Sequence, residues 1–122
     1  MVARAVLDAG ERFQNRRVPE LYAGLARDPG GFPVQYLGAN VPQAWAAGAV
    51  VHLLTTLLGL DADASRDRLV VRPALPAWLE RVRLRNLTVG DAVVDLEVRR
   101  DDRAHHIDAE VRRGTLDVEL GT

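Results

Sequence analysis

The chain has 122 residues, which is the size of one ordinary folded domain. Hydrophobic residues make up 48% and charged residues 27% of it, proportions that exclude a disordered or fibrous protein. The net charge of -1 argues against nucleic acid as a partner, and the absence of cysteine excludes a disulfide framework and a thiolate zinc site.

The first predicted element is an amphipathic helix over residues 2–15. Apolar residues recur there at helical spacing, with charged residues between them: Val2, Ala5, Val6, Ala9 and Phe13. No N-cap residue precedes this helix, and no apolar signal segment is present. We therefore expect a cytoplasmic protein in which another element precedes the helix.

Residues 16–40 predict a long connection, because turn-forming residues interrupt any period: Pro19, Gly30, Gly31, Pro33 and Gly38. Long loops in compact domains are uncommon unless they are functional or disordered. The aromatic residues Tyr22, Phe32 and Tyr36 favour an ordered loop.

A second helix is predicted over residues 41–60, with Asn40 as its N-cap and Pro42 in its first turn. The segment is almost wholly apolar or small, so we expect the helix to be buried on all sides. A transmembrane helix is the competing interpretation, since about 20 apolar residues span a bilayer. The segment is rich in alanine and has no cationic residue flanking its start, so no membrane is expected. A chain of this length cannot surround such a helix, so its neighbours are expected elsewhere.

After residue 60 the pattern changes to period two, which predicts short strands bounded by turn residues. The predicted strands cover residues 69–71, 82–89, 93–98, 105–111 and 116–120. They indicate a small antiparallel sheet with one solvated face. The predicted fold class is α+β, with a helical domain over residues 1–60 and a β domain over residues 61–122.

Three stretches, in order, resemble the C-terminal end of bacterial amylo-α-1,6-glucosidases of the glycogen-debranching type. The segment RVPELYAGL (residues 17–25) resembles that family's R-x-P-E-L-F-x-G-F segment. The segment PQAWAAGA (residues 42–49), with Tyr36 before it, resembles the family's Y-P…P-Q-A-W-A-A-G-A segment. The third stretch, with PALPAWL (residues 73–79) and VRLRNLTVG (residues 82–90), resembles the small β region that follows.

The resemblance implies a barrel of six α-hairpins, an (α/α)6 barrel, with its active site at the loops that enter the inner helices. The two helices of this chain would be the last outer and last inner helices. The apolar second helix would then touch inner-ring neighbours that this chain lacks, and the loop over residues 16–41 would line the sugar pocket.

The resemblance also implies a general base at Glu20. An inverting glycosidase needs one carboxyl group as acid and another as base, about 6.5–9.5 Å apart. Similar hydrolases carry the base in the loop before the last inner helix, where Glu20 lies. The alternative is an exposed loop carboxylate beside Arg16 and Arg17. No residue of this chain is assigned as the general acid, and Asp8, Glu11 and Asp28 are poor substitutes.

Four residues in or beside the loop are predicted to bind substrate: Tyr22, Tyr36, Gln43 and Trp45. Aromatic faces and amide groups are suited to sugar rings and hydroxyls. The alternatives are that Gln43 only caps the helix and that Trp45 belongs to a core. No metal or cofactor is expected; His105 and His106 alternate along a strand and point to opposite faces.

The predicted function is that of a C-terminal fragment of a hydrolase that cleaves α-1,6 branches of glycogen-type glucans. It would be inactive as the isolated chain and would need an N-terminal barrel, from the same gene or in trans, with a branched α-glucan as substrate. The alternative is a non-catalytic carbohydrate-binding or assembly module that self-associates as a homo-oligomer.

Overall fold

The computed structural model describes residues 2–26, 28, 30–102 and 104–121, and its fold is mixed α+β, as the sequence predicts. The helices are α1 (Val2–Gly10) and α2 (Ala44–Leu58), and short 3-10 turns cover Gln14–Arg16 and Ala64–Arg66. The strands are β1 (Leu60–Asp63), β2 (Arg68–Val71), β3 (Arg81–Val89), β4 (Ala92–Arg100), β5 (His105–Arg113) and β6 (Asp117–Leu120).

The chain forms two compact units, Met1–Leu54 and Thr55–Thr122, here called the helical unit and the strand unit. This division falls inside α2, whereas the change of sequence period predicts a domain boundary after residue 60. The last turn of α2 therefore belongs to the strand unit.

Helix α1 ends at Gly10, so the prediction that it continues to residue 15 is wrong. After Gly10 the backbone tightens, because Arg12 N–H donates to the Ala9 carbonyl over three residues. Asn15 and Arg16 then have positive φ angles of 55° and 57°. A right-handed helix cannot continue through left-handed residues, whatever the apolar spacing indicates.

Helix α2 begins at Ala44, later than predicted, and Asn40 is not its N-cap. Gln43 has that position, since its backbone carbonyl accepts the bond from Ala47 N–H at 3.1 Å. The Gln43 side-chain oxygen also accepts from Ala44 N–H at 3.0 Å. The helix ends at Leu58, and Gly59 after it has a φ of 55°, the left-handed conformation common after helix C-termini.

Helix α2 carries no charged residue, yet much of its surface is exposed in this chain. Trp45 is 64% exposed and Val51 is 61% exposed, whereas Leu58 is fully buried. The chain therefore does not itself bury this helix on all sides. Of the helices in the described residues, neither combines the length and hydropathy needed to cross a membrane.

The strand unit contains two three-stranded sheets, not the single antiparallel sheet that period two predicts. Strands β3, β4 and β5 pair antiparallel in sequence order. The other sheet has the order β1-β2-β6, in which β1 is antiparallel to β2 and β6 is parallel to β2. A parallel pair needs a long crossover, and here the β3–β5 sheet lies within that connection.

The buried apolar core lies in the strand unit. Strand β4 alternates buried and half-buried residues, and its buried side chains pack with those of β2, the end of α2 and the segment before β3. The fully or nearly buried members are Leu58, Leu69, Val71, Leu75, Val89, Val94, Leu96 and Val98. Burial of apolar surface at about 25 cal/mol per Å² makes this cluster the main stabilising element of the unit.

A bidentate ion pair joins the parallel strands β2 and β6. Arg68 Nε donates to Glu119 Oε1 at 2.5 Å, and Arg68 Nη2 donates to Glu119 Oε2 at 2.7 Å. These hydrogen bonds from Arg68 lower the pKa of Glu119 below its ordinary value. The pair thus favours the ionised carboxylate in the folded state.

We expect Glu119→Gln to destabilise the protein less as the pH falls. Since the folded-state pKa of Glu119 is lowered, the unfolded chain binds this proton first as the pH falls, at about pH 4.5. The stabilisation is present above that pH and is lost as pH falls through the lower folded-state value. Urea unfolding of wild type and variant at neutral and acidic pH measures the difference. Glu80→Gln is the control, and equal pH dependence for both variants would contradict the prediction.

Candidate functional site

The loop that precedes α2 is closed by Glu20 and Asn40, which we call the loop clasp. Glu20 N–H donates to the Asn40 carbonyl at 3.0 Å. Asn40 N–H and Asn40 Nδ2 both donate to Glu20 Oε2, at 3.2 Å and 3.0 Å. Three hydrogen bonds therefore join two residues that are 20 positions apart.

Beyond the clasp, the two arms of the loop pair as a minimal antiparallel bridge. Tyr22 lies opposite Gln35. Ala23 N–H donates to the Val34 carbonyl and Tyr36 N–H to the Leu21 carbonyl, each at 2.9 Å. In the described part of the loop, backbone hydrogen bonds therefore join residues 21–23 to residues 34–36.

An aromatic cluster supports one side of this loop. The Phe13 ring centroid lies 5.1 Å from that of Phe32 and 6.2 Å from that of Tyr22, in tilted and edge-on arrangements. Such geometries stabilise aromatic pairs beyond their area of burial. Val18 and Pro19, just before Glu20, are buried. Glu20 thus follows a fixed stretch of backbone.

The carboxylate of Glu20 is half-buried and held through one oxygen. Both donors of Asn40 bond to Oε2, and among the described residues none donates to Oε1. An ionised carboxylate only accepts hydrogen bonds, so Oε1 remains able to accept a proton from a water molecule. This geometry suits a general base.

The four predicted sugar-binding residues differ in their exposure and in the contacts of their side chains. Tyr22 lies against Phe13 and is 38% exposed. Tyr36 is 56% exposed and Trp45 is 64% exposed, and neither makes a ring contact with another aromatic side chain among the described residues. Gln43 caps α2 through its side-chain oxygen. Two aromatic faces are therefore available, while the Gln43 oxygen is engaged.

No second carboxyl group is among the contacts of Glu20 within the described residues. Asp8 and Glu11 line a separate depression with Arg12 and Gly30, and Asp8 also faces Arg4 at 3.7 Å. Inverting hydrolysis needs two carboxyl groups, and Glu20 is the one that the loop clasp holds in place.

Each unit also has a groove that Glu20 does not line. In the helical unit, a groove of about 290 Å³ runs between the apolar face of α1 and the loop. In the strand unit, a polar groove of about 960 Å³ lies against the β3–β5 sheet. Two of its arginines pair with carboxylates that also line the groove, Arg83 with Glu97 and Arg112 with Glu110 at 2.8 Å. These arginines have partners within the sheet.

The two adjacent histidines make separate contacts. His105 Nε2 accepts from Leu75 N–H at 3.1 Å, and His106 Nε2 lies 2.6 Å from Asp101 Oδ2. Within the described ranges, no group of three or more potential metal ligands forms.

Sequence reasoning missed Asn40 and Phe13 as parts of the loop structure. It assigned Asn40 to a helix cap and Phe13 to the face of a helix. The contacts of both residues are with partners distant in sequence. Only the aromatic content of residues 16–40 pointed to an ordered loop.

The chain is thus an α+β protein with a clasped loop that presents the Glu20 carboxylate and the exposed ring of Tyr36, and Trp45 is exposed in the helix that follows. Comparison with known proteins found no family model, no curated protein and no solved structure that matches it.

Proposed function

We propose that this chain is the C-terminal part of a glycoside hydrolase that cleaves α-1,6 branches of glycogen-type glucans. The proposal is supported by the resemblance of residues 17–25 and 42–49 to amylo-α-1,6-glucosidases. The observation that carries it is the Glu20 carboxylate, which Asn40 holds through Oε2 while no described residue donates to Oε1.

In this proposal Glu20 is the general base of an inverting reaction. Oε1 takes a proton from a water molecule while the water oxygen bonds to the anomeric carbon of the sugar. The glycosidic C–O bond breaks, and its oxygen takes a proton from a carboxylic acid. That acid belongs to the barrel we propose as partner, so the isolated chain has half of the acid–base pair.

The surface of α2 supports a partner of this kind. The helix has no charged residue, and its exposed side includes Trp45, Ala47, Gly48, Ala49 and Val51. Exposed apolar surface of this extent is costly in water and is typical of a surface that packs against another element. We propose that α2 is the last inner helix of an (α/α)6 barrel, in a cytoplasmic enzyme that uses neither metal nor cofactor.

A second candidate is a non-catalytic carbohydrate-binding or assembly module. The self-contained core of the strand unit favours it, since that unit has its own buried cluster. Sugar binding usually needs aromatic faces, however, and Trp78 is the only Phe, Tyr or Trp in residues 55–122. The two candidates therefore place the sugar beside different tryptophans.

We expect panose, a trisaccharide with one α-1,6 linkage, to change the fluorescence of Trp45 and not that of Trp78. The variant Trp78→Phe reports on Trp45 alone, and Trp45→Phe reports on Trp78 alone. Binding should be weak, with a Kd on the order of 1 mM or above, because the chain supplies only part of the proposed sugar site and the partner barrel supplies the rest. Fluorescence titration of both variants measures it, and glucose release from limit dextrin by the chain alone should be nil.

A response of Trp78 alone would favour the carbohydrate-binding module instead. No response of either tryptophan at saturating panose would contradict the placement of the sugar beside Tyr36 and Trp45. Measurable glucose release by the isolated chain would contradict the assignment of the general acid to another domain.

A further inference from the structure

We propose that Asn40 is a positioning residue, which holds Glu20 Oε2 so that Oε1 is the oxygen that receives the proton from water. This inference rests on the proposed function and assigns to Asn40 a positioning role within it. It is carried by the geometry of the loop clasp, in which two donors of one residue converge on a single carboxylate oxygen.

The two hydrogen bonds that Asn40 donates to Glu20 Oε2 fix both the position and the orientation of the Glu20 carboxylate. A single hydrogen bond leaves a carboxylate free to turn about its last torsion, which is broad for glutamate. The backbone N–H and the side-chain Nδ2 of Asn40 approach Oε2 together, at 3.2 Å and 3.0 Å. With Oε2 held by two donors, the direction of Oε1 is determined.

An amide is suited to this task because it does not titrate. Asn40 Nδ2 donates at every pH at which the protein folds, because an amide N–H group is too weak an acid to transfer its proton to a carboxylate. Hydrogen bonds to an ionised acceptor are also stronger than neutral ones. An asparagine thus orients the base without competing for the proton that the base must take.

Loop closure and carboxylate positioning use different atoms, which allows the two roles to be separated. The bond from Glu20 N–H to the Asn40 carbonyl joins backbone to backbone, and Asn40 N–H is also a backbone donor. Only the Nδ2 contact depends on the asparagine side chain. Removal of that side chain leaves both backbone donors in place.

The test is NMR spectroscopy of the full 122-residue chain with Asn40→Ala, with Asn40→Gln as the conservative variant and Gln35→Ala as the control. Gln35 lies in the same loop and pairs with Tyr22 through its backbone, so its side-chain amide is removed without touching Glu20. The readouts are the side-chain couplings of Glu20, the nuclear Overhauser effect between its γ-protons and residue 40, and the backbone amide shifts of the loop.

We expect one Glu20 rotamer in the wild type and a clear Overhauser effect to the Asn40 side-chain amide. In Asn40→Ala the Glu20 couplings should become averaged, while the backbone amide shifts of residues 21–23 and 34–36 stay close to wild type. Asn40→Gln should restore part of the rotamer preference, because it keeps an amide donor. Gln35→Ala should leave the Glu20 couplings unchanged.

A single Glu20 rotamer in Asn40→Ala, or averaged couplings in the wild type, would overturn the proposal. Equal averaging in Gln35→Ala would assign the effect to general loosening of the loop and would overturn it too.

Panose titration of Asn40→Ala keeps this test apart from that of the proposed function. We expect an unchanged Trp45 response in that variant, since Asn40 orients the base and not the sugar. Both titrations are made in the Trp78→Phe background, where Trp45 is the only tryptophan. Absence of a Trp45 response in Trp78→Phe itself would remove the proposed function without altering the couplings of Glu20.

Discussion

Replacement of Glu20 by glutamine should lower the rate of α-1,6 hydrolysis by about 10²–10⁴-fold, the usual contribution of a general base. The rate is measured as glucose release from limit dextrin by the chain assembled with the barrel that we propose as its partner. Glutamine keeps a carbonyl oxygen that accepts from Asn40, so the loop clasp and the fold should persist. What glutamine cannot do is take a proton from water.

Glu11→Gln is the matched control for this substitution. Glu11 is an exposed glutamate of the same helical unit, and it lines a different depression. We expect that variant to hydrolyse the substrate at the wild-type rate. An equal loss in both variants, or no loss in Glu20→Gln, would remove Glu20 from the reaction.

Gly59→Ala should destabilise the strand unit by about 2–4 kcal/mol. Gly59 has a φ of 55°, which costs an L-residue about 1–2 kcal/mol. A Cβ atom at this position would also lie 2.0 Å from the carbonyl oxygen of Arg72. That oxygen belongs to backbone next to β2, and Arg72 N–H bonds to the Gly59 carbonyl, so the added methyl group has to displace a paired segment.

Gly48→Ala is the control for this prediction, and it should have the opposite sign. Gly48 lies within α2, and a Cβ atom there would meet nothing within 4 Å. Alanine is favoured over glycine in a helix by about 0.5–1 kcal/mol. Urea unfolding followed by circular dichroism and by tryptophan fluorescence measures both variants, since Trp45 lies in the helical unit with Gly48 and Trp78 in the strand unit with Gly59. Equal stability of Gly59→Ala and wild type would mean that the turn after α2 is far more adaptable than its geometry indicates.

The α+β class was predictable because the period of the apolar residues changes along the chain. Helical spacing before residue 60 and alternation after it follow directly from the geometry of the two backbones. Strands β2 to β6 each overlap a predicted run. Strand β1 was missed because its sequence, LDAD, is only four residues long and lies where the period of the apolar residues changes, and it forms by pairing with β2.

Features that depend on distant partners were not predictable. Alternation indicates a strand but not its neighbour, so the separation into two sheets and the parallel β2–β6 pair could not be foreseen. The capping preference of asparagine suggested a helix start at Asn40, but in the fold its side chain bonds to Glu20 and Gln43 takes the cap. A carboxylate 20 positions away offers that amide a charged acceptor.

The candidate site also combines a feature that the sequence predicted with features that depend on distant partners. Glu20 was singled out on a resemblance, and its local role as an oriented acceptor depends on Asn40, which no motif indicated. The exposure of Trp45 likewise depends on what surrounds α2 in this chain. Sequence pattern thus located the loop, while the arrangement of atoms within it came from the structure.

The parallel pairing of β2 with β6 has a consequence for the protein during its synthesis. Strand β2 ends at Val71 and its partner begins at Asp117, so the whole β3–β5 sheet is made between them. Until β6 emerges from the ribosome, one edge of β2 has no partner strand. Strand β2 includes the apolar residues Leu69 to Val71. Open edges of this kind recruit strands from other chains. A nascent chain that stalls before residue 117 is therefore expected to aggregate, and chaperone protection would matter most in that interval.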